Sequence, residues 1–439
     1  MSNDALTAAG SGAPGSAEPG ATTTQLCNAP PRRKIPIIFV PGVMGSRLDF
    51  TTIGEQWDPD SLWRMWHWLR TDAERSRVEL RFNAPARVMT DMDDPIEAAH
   101  GYGGVVGSFY WYVLRTLRAM KDLPVDTPVY AVGYDWRQSN KISGAYLTKE
   151  VERIMGIEGA GQCILVTHSM GGIVSRSAMQ QGLAGKVLGA IHVFQPVDGA
   201  VVLYRRFFTG MVASGDADGG GVTGWVFCRI LGNTSEKFTT TSSGMPGPIQ
   251  LLPTNNYRDT GGAHWLEVKV GGATAPIPGD VFDLYNGPAS PPGLLQTPLP
   301  HGVNAAAAAD VHAHINLAKS FHAELGRYQH PRTKTIHGTR RMTDMAVVFD
   351  PPTAPPKTTT SVLTEFGHED VDTTAAWTNR GATRVTRATG DGTVPQTSGS
   401  VLKTDLEAEG DIEHGDAFKA DAQRAVIDHV MKWIKELVT

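Results

Sequence analysis

A serine stands between a strand-like run and a helix-like run in the middle of the chain, and this arrangement limits the fold more than any other feature. The run Cys163–Val166 is short and apolar, and Ile173 and Val174 continue the chain after two glycines. A sharp strand-to-helix turn of this kind holds a hydroxyl clear of a sheet. We therefore predict that Ser169 is a nucleophile. Thr167 stands where such turns usually carry glycine, and a serine at an ordinary turn is the alternative.

A serine nucleophile requires a base that accepts its proton and an acid that orients the base. When the serine lies at a strand–helix turn, the acid and then the histidine follow it along the chain. Asp391 stands between two glycines well after Ser169, and His414 comes 23 positions after Asp391. The alternatives are an aspartate that only forms a turn and a histidine that only begins a helix. The order of the three residues favours a catalytic triad of Ser169, Asp391 and His414.

The tetrahedral intermediate of such a reaction also needs backbone N–H donors directed at its oxyanion. We expect one donor from Met170, directly after the nucleophile. The other is expected from Val43, in the glycine-containing loop Pro41–Gly45 that follows the first predicted core strand. Both donors are main-chain groups, so the apolar side chains are no obstacle. A plain turn at Pro41–Gly45 is the alternative.

Predicted strands and helices alternate up to about residue 199 and lose this alternation afterwards. The alternation indicates a mostly parallel central sheet with helices on both faces. Together with the order of the triad, it predicts an α/β-hydrolase fold with a large inserted cap or lid. The expected divisions are a disordered leader at 1–31, a first part of the core at 32–199, the cap at 200–330 and a second part of the core at 331–439.

Periodicity and boundary residues predict the individual elements. The first helix, Trp57–Arg70, is expected to begin with Asp58 or Asp60 as its N-cap. The other helices are expected at 109–120, 143–157, 304–327 and 417–437, besides the one after Ser169. Strands are expected at 34–40, 128–132, 190–194 and 333–337, besides the one before Ser169.

Composition argues against several functional classes. The formal net charge is −5 and no block of Lys and Arg occurs, so we expect no nucleic-acid partner. The longest apolar runs, such as Ile35–Val40, have the length of a strand and predict no transmembrane segment. Residues 1–24 lack the basic and apolar regions of a Sec-type signal peptide, which predicts a cytoplasmic location or export by a non-Sec route. The three cysteines lie far apart and suggest no disulfide framework.

Aromatic and histidine-rich segments give weaker signals. Trp57 and Trp63 are predicted to bind substrate, with peripheral membrane contact, because tryptophan is favoured at membrane–water interfaces. Core packing of Trp63 is the alternative. Six histidines lie between residues 301 and 337, but His312 and His314 point to different helix faces, so no metal site is expected. No phosphate-binding motif is found, and no cofactor is expected.

Five segments resemble the lecithin:cholesterol acyltransferase family, which also contains lysosomal phospholipases A and phospholipid:diacylglycerol acyltransferases. The most specific are Gly133–Arg137, which reads Gly-Tyr-Asp-Trp-Arg, and Gly390–Pro395, which reads Gly-Asp-Gly-Thr-Val-Pro. The others are Ile37–Leu48, Trp57–Trp68 and His168–Gly172. The likeness spans roughly residues 35 to 430 and is thin across the predicted cap.

The resemblance implies an acyl-ester substrate, often the fatty-acyl ester of a phospholipid, and a covalent acyl-enzyme. It also implies the same triad and the same oxyanion donors, Val43 and Met170. Two departures limit what can be transferred. The cysteines cannot reproduce the disulfides of the extracellular members, and residues 200–385 are largely unmatched.

The sequence therefore predicts a serine ester hydrolase that acts on acyl lipids as a phospholipase or lipase, with acyl transfer to another alcohol as an open alternative. An antibacterial lipase effector is a further hypothesis, which rests on the lipase features and the unusual leader. An esterase or amidase for small soluble substrates, or a non-catalytic binding protein with this fold, are the alternatives from other classes. The lipid class, the positional specificity and the oligomeric state stay open.

Overall fold

The computed structural model describes residues 32–211, 221–270, 273–276, 279–287, 294, 303–349, 382–402, 406–409, 412–419 and 424–439. The predicted leader at 1–31 lies outside these residues, as do Cys27 and His301. The division of the remaining chain into two core segments and a cap stays a prediction.

The strands of the described residues are short and rich in β-branched and aromatic side chains, which suit a pleated and packed surface. In chain order they are β1 (Ile37–Val40), β2 (Leu48–Phe50), β3 (Glu55–Trp57), β4 (Arg87–Val88), β5 (Val129–Ala131), β6 (Cys163–His168), β7 (Val187–Val193), β8 (Leu266–Val270), β9 (Ala273–Pro276), β10 (Thr333–Gly338), β11 (Arg341–Phe349), β12 (Ala382–Gly390) and β13 (Leu406–Glu409).

The helices connect these strands and cover the sheets. In chain order the α-helices of the described residues are α1 (Leu62–Arg70), α2 (Ala73–Glu79), α3 (Pro95–Ala99), α4 (Gly107–Arg118), α5 (Asn140–Glu158), α6 (Met170–Ala178), α7 (Val201–Thr209), α8 (Gly221–Leu231), α9 (Ser235–Ser242), α10 (Pro246–Ile249), α11 (Val281–Tyr285), α12 (Ala305–Leu325), α13 (Gln396–Gly399) and α14 (Arg424–Val438). Within the described ranges, none of them combines the length and the apolarity needed to cross a bilayer.

Six strands form a central sheet in which every neighbouring pair is parallel, in the order β13-β10-β7-β6-β1-β5. The predicted parallel sheet is therefore confirmed. The chain passes from β5 on one side of β1 to β6 on the other side, so the winding direction changes beside β1 and β6. Ligand crevices of such sheets lie at the carboxyl ends of the strands at this point. Ser169 follows β6 directly.

Alternate side chains of β1 enter two separate cores, which places helices on both faces of the sheet. Ile38 and Val40 belong to one core, which includes side chains of α5 and α6. Ile37 and Phe39 belong to the other, which includes side chains of α4 and α14. Successive residues of a strand point to opposite faces, so a strand buried on both faces is apolar throughout. This explains the continuous apolar run that precedes Pro41.

Helix α1 begins later than the sequence predicts, and the predicted N-caps are wrong. The helix starts at Leu62, and the Ser61 hydroxyl accepts its first capping hydrogen bond. Both predicted caps have other partners. The Asp58 carboxylate pairs with the Arg47 guanidinium at 2.9 Å, and Asp60 caps the N-terminus of α4. Helices α4, α5 and α12 agree with their predicted positions apart from small shifts at the ends.

Two smaller sheets were not predicted from the sequence. One has the order β3-β2-β4, and the other has the order β12-β11-β8-β9. The long antiparallel pair β11–β12 runs from Arg341 opposite Gly390 and ends directly before Asp391. A buried ion pair between Arg205 on α7 and Asp344 on β11 connects the segment after residue 200 with this sheet. Asp391, the predicted acid, therefore lies beside Gly338, at the carboxyl end of β10 in the central sheet.

Candidate active site

Ser169 occupies a strained turn between β6 and α6. Its backbone has φ 51° and ψ −125°, a conformation that side-chain-bearing residues rarely adopt. The Ser169 N–H donates to the Val193 carbonyl at 2.9 Å, which fixes the turn against β7. A Cβ atom at Gly171 would lie 2.5 Å from the Val40 carbonyl oxygen, so only glycine permits this approach of α6 to β1. The turn therefore has the geometry that the sequence predicts for a nucleophile.

The departure at Thr167 has a structural reason. Its hydroxyl lies 2.8 Å from Nδ1 of His192 on the neighbouring strand β7, and both side chains are fully buried. Thr167 thus supplies a hydrogen-bond partner for Nδ1 of His192. A glycine at this position would leave that buried nitrogen without the partner.

The structure brings Ser169, His414 and Asp391 into one hydrogen-bonded run. His414 Nε2 lies 2.7 Å from Ser169 Oγ, and His414 Nδ1 lies 2.9 Å from Asp391 Oδ2. The Ser169 residue is only 4% exposed and Asp391 is fully buried. Because the carboxylate faces Nδ1, it favours the tautomer with the proton on Nδ1 and leaves Nε2 as the acceptor toward the serine hydroxyl. This is the arrangement that a serine nucleophile requires.

The carboxylate of Asp391 is held by main-chain donors of its own turn. Its Oδ1 atom accepts the N–H groups of Thr393 and Val394 at 2.9 and 2.6 Å. The His414 N–H donates to the Asp391 carbonyl oxygen at 2.9 Å, which ties the two loops together. Gly392 adopts φ 90°, where glycine is favoured, and thereby allows this tight turn. Both carboxylate oxygens have defined partners, so the side chain has one orientation.

The loop after β1 lies directly against Ser169. A Cβ atom at Gly42 would stand 3.0 Å from the Ser169 Cβ, and Met44 two residues later has φ 59°. Among the described residues, the N–H groups of Val43 and Met170 have no acceptor. Met170 is the first residue of α6, where a main-chain N–H has no partner within the helix and the helix dipole favours negative charge. Both N–H groups are therefore free to bind an anionic oxygen.

The two tryptophans predicted to bind substrate differ in exposure, and only the prediction for Trp57 needs correction. Trp57 is fully buried, so it cannot contact a substrate in this conformation. Its ring stacks on Phe227 at a centroid distance of 5.9 Å, and its indole N–H lies 3.4 Å from the Met44 carbonyl oxygen. Trp57 therefore contacts the loop after β1 through the main chain of Met44 and helps to hold this loop in place. Trp63 is 85% exposed, so the alternative that it packs in the core is wrong.

The charged residues of the segment Gly133–Arg137 connect parts of the chain. The Arg137 guanidinium is completely buried and pairs with the Asp135 carboxylate at 2.7 Å. It also donates to the main-chain carbonyls of Arg81 and Ala84. An arginine with this many partners fixes several chain segments at once. In the 301–337 tract, His312, His314 and His322 each bind a separate partner.

Two residues next to the site were missed by the sequence analysis. The Tyr110 hydroxyl lies 2.9 Å from His168 Nδ1, and His168 Nε2 lies 3.0 Å from the His414 carbonyl oxygen. Burial lowers the pKa of His168 to about 3, so its imidazole is neutral. The position of His168 beside Ser169 was the available signal. Nothing in the sequence near Tyr110, which lies on α4, indicates this contact.

Comparison with models of known protein families gives a match to part of this chain. The model of the lecithin:cholesterol acyltransferase family matches residues 109–268. The matched segment contains Gly133–Arg137 and the turn at Ser169, and it continues past residue 200 into the region where no family segment was expected. Asp391 and His414 lie outside it, so their place in the site rests on the geometry above.

Among solved structures, one chain of the crystallised Tle4–Tli4 complex is 18% identical, with a TM-score of 0.68 over 92% of this chain and 98% of that chain. The mature form of the Bacillus licheniformis lipase BlEst2 is 12% identical, with a TM-score of 0.37 over 92% of this chain and 94% of that chain. A search of curated protein sequences gives no significant match.

The fold, with a serine at the turn between β6 and α6, is that of an α/β-hydrolase. Within this class, the resemblance to the lecithin:cholesterol acyltransferase family is confirmed by the family match. That match supports an ester hydrolase of the lipase type.

Proposed function

We propose that this chain is a serine hydrolase that cleaves the fatty-acyl esters of lipids through a covalent acyl-enzyme on Ser169. The observation that carries the proposal is the hydrogen-bonded run from Asp391 through His414 to Ser169 at the strained turn. A serine hydroxyl is a weak nucleophile unless an adjacent base accepts its proton, and His414 is within reach to do so.

The reaction begins when Ser169 Oγ attacks the ester carbonyl carbon and its proton moves to His414 Nε2. Asp391 accepts the Nδ1–H of His414, which orients the ring and stabilises the imidazolium that forms. The N–H groups of Val43 and Met170 stabilise the oxyanion. His414 then protonates the departing alkoxide, and the alcohol leaves. Water gives its proton to His414 as it attacks the acyl-enzyme. His414 then passes this proton to Ser169 Oγ, whose bond to the acyl group breaks, and the fatty acid is released.

An acyl-lipid substrate is favoured over a small soluble ester by the family match and by the surface of α1. Leu62, Trp63 and Trp66 are all more than half exposed on this helix. Tryptophan side chains are favoured at membrane–water interfaces because the ring is apolar and its N–H stays hydrated. Peripheral contact with a lipid surface would therefore bring the substrate to the protein.

The test compares wild type with Ser169→Ala on one fatty-acyl ester, below and above the concentration at which it forms micelles. Ser175→Ala is the matched control, since Ser175 is a buried serine on α6 whose hydroxyl has no hydrogen-bond partner in the described structure. We expect Ser169→Ala to abolish turnover and fluorophosphonate labelling, and Ser175→Ala to keep both. Labelling that persists in Ser169→Ala would refute the nucleophile. A rate that does not increase when the ester forms micelles would favour the esterase or amidase alternative.

The choice between hydrolysis and acyl transfer needs its own measurement. Wild type is given a phospholipid mixture with and without an added alcohol, and the products are identified by lipid mass spectrometry. Free fatty acid as the main product in both samples supports a hydrolase. A new ester of the added alcohol identifies an acyltransferase. Binding of the lipid without any Ser169-dependent product would instead support a non-catalytic protein.

An antibacterial lipase effector that binds a protein partner is a second candidate role. The observation that favours it is the match over 92% of this chain and 98% of a chain crystallised in the Tle4–Tli4 complex. Inducible expression in the periplasm of a susceptible bacterium tests this role. Growth arrest by wild type, with normal growth for Ser169→Ala, would support it. Harmless expression of folded wild type would refute it.

A further inference from the structure

We propose that Tyr110 and His168 are positioning residues that couple the oxyanion loop to the histidine base. The oxyanion loop is Pro41–Gly45, and the base is His414. The inference rests on the proposed function, because it assigns both residues a task in the reaction of Ser169.

Three hydrogen bonds form a continuous path between these two parts of the site. The Gly42 N–H donates to the Tyr110 hydroxyl oxygen at 3.2 Å. The Tyr110 O–H donates to His168 Nδ1 at 2.9 Å. The His168 Nε2–H donates to the His414 carbonyl oxygen at 3.0 Å. Tyr110 and His168 are both buried, so the path is shielded from water.

The chemistry of the two end groups fixes the direction of every bond in the path. The Gly42 N–H can only donate, and the His414 carbonyl can only accept. His168 must therefore carry its proton on Nε2 and present Nδ1 to the phenol. Burial raises the pKa of Tyr110 and lowers that of His168, so both side chains stay neutral and the path keeps one polarity near neutral pH.

The path fixes the positions of the oxyanion loop and of His414 relative to Ser169. Gly42 directly precedes Val43, the proposed oxyanion donor, and His414 carries the proton acceptor. The ring of His168 lies 5.1 Å from the ring of His414. Because His168 is neutral, it places no second positive charge beside the imidazolium that forms on His414 during acylation. A residue that is neutral and hydrogen-bonded on both sides fits this place better than a permanently charged one.

The test uses Tyr110→Phe and His168→Leu, which each remove two of the three bonds of the path. A third variant, His168→Gln, has an amide that keeps a donor toward the His414 carbonyl. Tyr102→Phe is the matched control, because it removes the buried hydrogen bond of a different phenol outside the path. The Tyr102 hydroxyl donates to the Leu114 carbonyl on α4 at 3.3 Å. All rates are measured on one fatty-acyl ester, at a temperature where circular dichroism shows each variant folded.

We expect Tyr110→Phe and His168→Leu to lower kcat by about 10- to 100-fold with little change in KM, since a catalytic group displaced by about 1 Å can lose about 100-fold in rate. His168→Gln should recover part of the loss, and Tyr102→Phe should match wild type. The double variant should be no worse than the poorer single one, because both changes break the same path.

Three results would overturn the inference. The first is wild-type kcat in Tyr110→Phe and His168→Leu while Ser169→Ala is inactive. The second is an equal loss of kcat in Tyr102→Phe. The third is a loss of kcat that disappears once activity is corrected for the folded fraction. Failure of the proposed function looks different, because wild type itself would then show no turnover and no labelling at Ser169. That result would overturn both proposals together.

Discussion

Replacing Asp391 by asparagine would reverse one hydrogen bond of the site and leave the shape of the side chain unchanged. Oδ1 of Asp391 accepts two main-chain N–H groups at 2.9 and 2.6 Å, and Oδ2 faces His414 Nδ1 at 2.9 Å. An amide in this place must keep its oxygen toward the two main-chain donors, because its NH2 group cannot accept from them. The NH2 group of Asp391→Asn therefore faces His414.

With that NH2 group opposite Nδ1, the neutral ring of His414 carries its proton on Nε2. Nε2 is the nitrogen that must accept the proton of Ser169, so the base is lost. We expect kcat to fall about 10⁴-fold, which corresponds to about 5 kcal/mol of activation free energy at about 1.4 kcal/mol for each factor of ten. KM and the melting temperature should change little, because both main-chain donors keep their acceptor.

The assay compares wild type, Asp391→Asn and Asp391→Ala by steady-state kinetics on one fatty-acyl ester and by urea unfolding. Asp391→Ala is the control, since it also removes the acceptor of two main-chain N–H groups. It should lose about 1–3 kcal/mol of stability for each group left buried without a partner. Activity of Asp391→Asn within tenfold of wild type would refute the reasoning. So would a loss of stability equal to that of Asp391→Ala, since it would mean that the amide does not keep these bonds.

Three further predictions concern the same region. Burial lowers the pKa values of His168 and His192 from 6.5 to about 3, so below pH 6.5 the unfolded chain binds protons that the folded chain does not. Urea unfolding should show the stability falling as the pH drops toward 3, by up to about 1.4 kcal/mol per pH unit for each histidine, and an unchanged stability would contradict this. The free energy of unfolding of Ser169→Gly should exceed that of Ser169→Ala by about 1 kcal/mol, because glycine adopts the positive φ of this turn without strain. Both variants should be inactive, and equal free energies of unfolding would argue against strain at the turn. Gly42→Ala should slow fluorophosphonate labelling at least about tenfold, because its Cβ atom would stand 3.0 Å from the Ser169 Cβ, and unchanged labelling would show that the loop is free to move.

Much of the fold could be predicted because local patterns determine it. The apolar runs of β1 and β6 are buried on both faces, and continuous apolar runs are the signature of such strands. Three residues of the site could be predicted for a different reason. Ser169, Asp391 and His414 each lie at the end of a recognisable element, and their order along the chain has a chemical meaning.

The remaining features depend on contacts between distant parts of the chain. Strands β11 and β12 pair across the segment between residues 349 and 382, and no local periodicity announces such a pairing. The N-cap of α1 was assigned wrongly because Asp60, a good cap by type, binds the start of α4 instead. The contact of Tyr110 with His168 joins α4 to the end of β6, and only the packed structure brings them together.

The most direct test of the central claim is peptide mass spectrometry of the protein stopped with acid during turnover of a fatty-acyl ester. The proposed mechanism predicts a mass increase equal to the acyl group on the peptide that contains Ser169, and no such increase in Ser169→Ala. An acyl group on another residue, or lipid cleavage undiminished in Ser169→Ala, would contradict it.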